Sequence, residues 1–210
     1  PDVLAVKVLR ELAAAIVQAH SEDHPVIVAA GGHVIKVGLA PVLIGMMEVG
    51  TISALALTGA GAIHDWEIAA IGATSEDVGR GLHEGRYGMA DETGRALNDA
   101  AKEAAGSGEG FGEVLGRRIV EAALPHREAS LLARAFELHV PLTVHVAIGS
   151  DIVHQHPSAD GAAIGAATFT DFRKLVTIVS LLSGGVWINL GSAVHLPEVF
   201  LKALTKSVVH

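Results

Sequence analysis

Ten consecutive residues, Thr58-Gly59-Ala60-Gly61-Ala62-Ile63-His64-Asp65-Trp66-Glu67, set an imidazole and two carboxylates directly behind a run of small side chains. Those types at that spacing suit proton transfer. Histidine's ordinary pKa, near ~6.5, lets it gain and lose a proton around neutrality, and a neighbouring carboxylate can orient it. His64 is therefore the expected base, with Asp65 or Glu67 orienting it or the substrate. Helical spacing would put His64 and Glu67 near one face. Asp65 could equally cap a helix through its side chain. Thr58, Gly59 and Gly61 let a backbone come close to a phosphate or a ribose.

A second block, Gly149-Ser150-Asp151-Ile152-Val153-His154-Gln155-His156, has the same layout. Asp151 suits ribose hydroxyls or a substrate amine, with Gly149 and Ser150 beside it. An alternative set, His64, Asp151, His154 and His156, with Asp65, has the ligand types of a divalent metal site for hydrolase or lyase chemistry. The plain alternative for that loop is a hydrogen-bonded subunit contact. Gly31-Gly32-His33 and Gly191-Ser192 complete the list, each following a predicted strand, and Gly32, Gly191 and Ser192 are expected cofactor contacts. Asn189 and His195 lie near the last strand as further polar groups. No Gly-x-Gly-x-x-Gly, Walker or Gly-x-Ser-x-Gly pattern is present, and no Cys.

These residues need strands that end where they begin. Apolar runs bounded by Gly and Pro predict strands at 26–30, 52–57, 142–148 and 185–190. Between them the spacing predicts helices over 2–20, 34–49, from Asp65 onward, 92–105, 116–124, 127–138, 171–182 and 196–204. Gly79 to Gly94 reads as a charged loop or arm, and 149–165 as a loop. Alternation of this kind predicts one doubly wound, mostly parallel, Rossmann-like α/β domain over residues 1–210.

Composition narrows the function. Half of the 210 residues are apolar, which is enough for one substantial core. Net charge is −8 with only 15 Lys and Arg, which argues against nucleic-acid binding. No apolar run reaches the roughly 18 residues of a membrane span. The absence of Cys excludes disulfides and thiolate metal sites and suits a cytoplasmic protein. A start at Pro1 without Met leads us to expect a piece of a longer chain.

Three segments together resemble the deoxyhypusine synthase family: Ala56 to Asp65, Pro141 to Asp151 with its Gly-Ser-Asp, and Asp171-Phe172-Arg173-Lys174-Leu175 followed by Ser183-Gly184-Gly185-Val186. The resemblance spans about residues 25 to 205. It implies an NAD site on a Rossmann-like fold, a homotetramer with sites between subunits, and transferase or oxidoreductase chemistry on a small amine or alcohol. The family's enzyme lysine just after the third segment has no counterpart, because the chain reads Trp187, Ile188, Asn189, Leu190 and has no further lysine until Lys202. His64 stands where the family has acidic residues. What the resemblance implies is a divergent, deoxyhypusine-synthase-like branch that keeps the nucleotide site.

Overall fold

The computed structural model describes residues 4–74, 81, 83, 85 and 90–209. Most of the expected Gly79 to Gly94 arm lies outside them. Four strands, β1 (Val26–Ala30), β2 (Ala54–Thr58), β3 (Leu142–His145) and β4 (Val186–Leu190), form one sheet in the order β3-β2-β1-β4. Every pairing is parallel. Chain order reverses between β1 and β4, which makes the sheet doubly wound and puts its switch point at the ends of those two strands.

Parallel strands are buried on both faces, and the first three show it: β1 and β3 are buried throughout, and β2 is buried up to Thr58. One face carries Val28, Ala30, Leu55 and Leu57 into the main core, under α2 (Gly32–Lys36), α3 (Ala40–Glu48), α4 (Gly59–Ile71), α5 (Asp91–Ser107), α6 (Phe111–Glu121) and α7 (Leu131–Glu137). The other presents Ala29, Ala56 and Trp187 to α8 (Gly161–Ser180) and α9 (His195–Val209). Trp187 stacks on Phe200 with ring centroids 4.3 Å apart. Each fully buried Leu or Ile in such a core is worth about 1.5–3 kcal/mol. The N-terminal helix α1 (Leu4–Ser21) lies outside both layers and buries only Ala19 among its described side chains.

The two sheet edges differ. On β3, Val144 N–H donates to Asp171 Oδ2 at 2.6 Å, Val144 C=O accepts from Thr168 Oγ1 at 3.0 Å, and Val146 N–H donates to Thr168 Oγ1 at 2.9 Å. Helix α8 thus seals that edge with side chains. On β4, the bonds Val186 N–H to Pro25 O and Gly31 N–H to Leu190 O set the ladder so that Val186, Ile188 and Leu190 face β1. The backbone groups of Trp187 and Asn189 face outward, and among the described residues none takes them up.

Three predicted boundaries are corrected. The helix expected from Asp65 starts at Gly59, because Thr58 Oγ1 accepts from Gly61 N–H at 3.1 Å and caps it directly at the strand end. The glycines expected at the strand end form its first turn. The expected 34–49 helix is two, broken at Gly38, whose φ of 79° no continuous helix permits. Helix α8 begins at Gly161, ten residues before the expected 171, because Asp160 Oδ1 accepts from Ala162 and Ala163 N–H at 2.9 and 3.1 Å.

Candidate functional site

The C-terminal ends of all four strands converge on one cavity of about 230 Å³. Gly31 and Gly32 reach it from β1, Thr58, Gly59 and Ala60 from β2, His145, Ala147, Ser150 and Asp151 from β3, and Gly191 and His195 from β4. Close packing holds the turns together. A Cβ on Gly31 would strike Gly191 O, one on Gly59 would strike Asp151 Oδ2, and one on Gly32 would sit 3.2 Å from Ala60. Glycine backbone thus lines much of the cavity, and His145, Asp151 and His195 are the ionisable groups among its lining residues.

Asp151 is one of these, only 9% exposed, and its Oδ2 has no hydrogen-bond partner. Desolvation raises its pKa. The charges of His154 and His195 and the N–H groups of Ala147 and Ala60 pull the other way. It therefore faces the N-terminus of α4, where a carboxylate is favoured by the helix dipole. His145 is buried at the end of β3, and burial first, then the neighbouring charge of His195, hold its pKa down at about 3. Its ring stays neutral at ordinary pH. His195 opens α9 and donates from Nε2 to the His145 carbonyl at 3.0 Å.

The loop that carries Asp151 is fastened to α5. Asn98 Nδ2 donates to Val153 O and to Ser158 Oγ, both at 3.0 Å. His156 bonds Ser158 Oγ at 2.7 Å and Asp91 Oδ1 at 3.1 Å. Ser192 is buried as the cap of α9, its Oγ accepting from Leu196 N–H at 3.1 Å.

Of the expected cofactor residues, the fold gathers Gly32, Thr58, Gly59, Ser150, Asp151 and Gly191 around the cavity. Gly149 adjoins it with φ 92°, while Gly61 lies inside the first turn of α4 and Ser192 behind Gly191. The expected catalytic group is elsewhere. His64 Nδ1 lies 3.0 Å from Glu67 Oε2 on the flank of α4, and neither residue lines the cavity. Asp65 is fully buried and accepts from Ser130 Oγ at 2.5 Å, Leu131 N–H at 2.8 Å and Leu132 N–H at 3.0 Å, so it caps α7. Desolvation raises its pKa to about 6, against the pull of those three donors.

The alternative metal set is not brought together. His64 is paired with Glu67, His154 Nδ1 accepts from Gly149 N–H at 3.1 Å, and His156 points to Asp91. Among the described residues no three of His, Cys, Asp or Glu come together in a way that could hold a metal ion. Sequence reasoning passed over His145, which lay inside the strand expected over 142–148 but ends β3, and gave His195 no role. The signal available was position: His145 ends β3, and His195 opens the helix that follows β4.

No protein-family model matches the chain, and no curated protein matches it. Solved structures do. ArgZ, an arginine dihydrolase from the ornithine–ammonia cycle in cyanobacteria, superposes in its apo form with a TM-score of 0.60 at 20% identity, over 91% of this chain and 25% of that one. A conserved putative LOR/SDH protein from Methanococcus maripaludis S2 superposes with a TM-score of 0.55 at 18% identity, over 100% of this chain and 62% of that one. The likeness is one of fold. This chain spans only part of the length of either neighbour. The domain is a Rossmann-like α/β fold of the kind that binds nucleotides and cofactors, with no helix among the described residues long and apolar enough to cross a membrane.

Proposed function

We propose that this domain is the NAD-binding, catalytic unit of a deoxyhypusine-synthase-like enzyme acting on a small amine or alcohol, with its site in the strand-end cavity. One observation carries the reading: residues from all four parallel strands meet there, beside the switch point between β1 and β4, which is where open α/β sheets take their ligands. The residues fit a dinucleotide in kind. Gly31, Gly32 and Gly191 leave backbone alone on one side, and Thr58 and Ser150 add hydroxyls. About 230 Å³ accommodates one end of such a molecule. NAD, when bound, would supply the hydride acceptor. The protein's part would be to position, exclude water and handle the proton.

This reading keeps the expected homotetramer as a proposal, and moves proton handling away from His64, Asp65 and Glu67, which do not line the cavity. ArgZ's arginine dihydrolase activity belongs to a chain of which this one covers 25%, so it supports the fold and not that reaction here. Native mass spectrometry of the purified protein, then denaturation and identification of what is released, is the test. NAD released, or taken up saturably when added, is the expected result. A folded protein that takes up no NAD at millimolar concentration overturns the proposal.

A further inference from the structure

We infer that His195 is the proton acceptor of the strand-end cavity, its tautomer fixed by the backbone, and that it takes a ligand group carrying a polar hydrogen. The inference rests on the reading that this cavity is the ligand site, but not on NAD being the ligand.

The tautomer follows from what its partner can do. A carbonyl oxygen only accepts, so the 3.0 Å contact from His195 Nε2 to His145 O puts the hydrogen on Nε2. In the neutral ring Nδ1 then holds the lone pair. The His145 ring lies against Thr143, whose hydroxyl oxygen is 2.9 Å from its Nε2 and 3.3 Å from Leu55 O. Asp151 lines the same cavity, with its Oδ2 unpartnered and buried against Gly59.

A lone pair at His195 Nδ1 is a poor neighbour for a carboxylate oxygen and a good one for a hydroxyl or an ammonium. Among the described residues His145, Asp151 and His195 do not form a cluster able to hold a metal ion. A hydroxyl or ammonium hydrogen donated to His195 Nδ1 would be in place for transfer. When that O–H or N–H bond breaks, the proton stays on Nδ1, the ring becomes an imidazolium still donating to His145 O, and the electron pair remains on the ligand oxygen or nitrogen. His145 stays neutral beside it, and the Asp151 carboxylate stabilises the new positive charge.

Nitrogen-15 NMR of the full chain labelled at histidine tests this with three probes of matched size: propylamine, 1-propanol and propionate. The expected spectrum has the His195 lone pair on Nδ1, and a saturable movement of that resonance with the amine or the alcohol and none with propionate. Whichever of the first two binds identifies the source of the donor. His195→Phe should weaken the responding probe about tenfold or more, and His195→Gln, which keeps both a donor to His145 O and an acceptor, should retain it. A lone pair on His195 Nε2, a response to propionate equal to the others, or no response to amine or alcohol overturns the inference. If His195→Phe does not fold, the spectrum of the wild-type chain decides alone. NAD uptake is measured separately, so a protein that answers the probes but takes up no NAD refutes the cofactor and not the role of His195.

Discussion

Replacing Asp65 with Ala separates a catalytic carboxylate from a structural one. In the folded chain this carboxylate is fully buried and takes three donors, Ser130 Oγ and the N–H groups of Leu131 and Leu132. Truncation strands two backbone N–H groups at the start of α7 and one hydroxyl. Each buried donor left unsatisfied costs about 1–3 kcal/mol. The costs are not additive here, since Ser130 Oγ can still accept from Ala133 N–H, at 3.1 Å in the intact protein. A total of roughly 3–5 kcal/mol is expected, a large fraction of the stability of an ordinary domain. In urea, where such proteins lose about 2–3 kcal/mol per molar, the midpoint should fall by roughly 1–2 M with the slope unchanged. Ser130→Ala should cost about 1–2 kcal/mol as a lost cap, and the double variant less than the sum. Ligand binding per folded molecule should not change. An Asp65→Ala protein with the wild-type midpoint but no ligand binding would refute this reasoning and return Asp65 to the site.

Asp171 gives a pH signature. It is fully buried, and burial carries its pKa from an ordinary 3.8 to about 7, against the N–H groups of Val144 and Gly112. The folded state therefore holds its proton more tightly, and stability falls as pH rises between those values. Between pH 5 and 8 the wild type should lose roughly 3 kcal/mol relative to Asp171→Asn, at about 1.4 kcal/mol per pH unit, read from paired urea curves. Gly59→Ala should displace Asp151, since the added methyl runs into its carboxylate, and cost about 1–3 kcal/mol together with the probe response of the cavity. Calorimetry and the histidine spectrum read the two effects. Thr168→Val strips the outer edge of β3 of its donor to Val144 O and its acceptor for Val146 N–H. A loss of about 1–3 kcal/mol is expected, with concentration-dependent light scattering on mild heating; equal scattering by wild type and variant would contradict the sealing role of α8.

How much of this was legible depended on what each residue's role needed. Strand β1 was placed residue for residue, because Val26 to Ala30 is an unbroken apolar run after a proline, and burial on both faces leaves such runs no alternation to obscure. The parallel architecture followed from helix–strand alternation. The glycines at 59 and 61 were recognised as a strand end but not as helix, since intrinsic propensity disfavours Gly there and only the cap by Thr58 reverses it. Asp65 deceived for a related reason. Its partners lie far along the chain at Ser130, Leu131 and Leu132, and no local pattern announces a carboxylate that caps a different helix. His145 and His195 were invisible as a pair for the same cause: 50 residues separate them, and only the β3-β2-β1-β4 order brings the two strand ends into one cavity.

The unequal edges of the sheet have a bearing on how it could be extended. With β3 closed by Thr168 and Asp171, hydrogen-bonded lengthening of this sheet is one-directional: any additional strand must register on the outward groups of Trp187 and Asn189. A protein engineer fusing a fifth strand, or splitting the fold for complementation, therefore has one productive side. The asymmetry also makes aggregation a matter of a single short stretch, and one Pro or Lys on β4 would be enough to guard it.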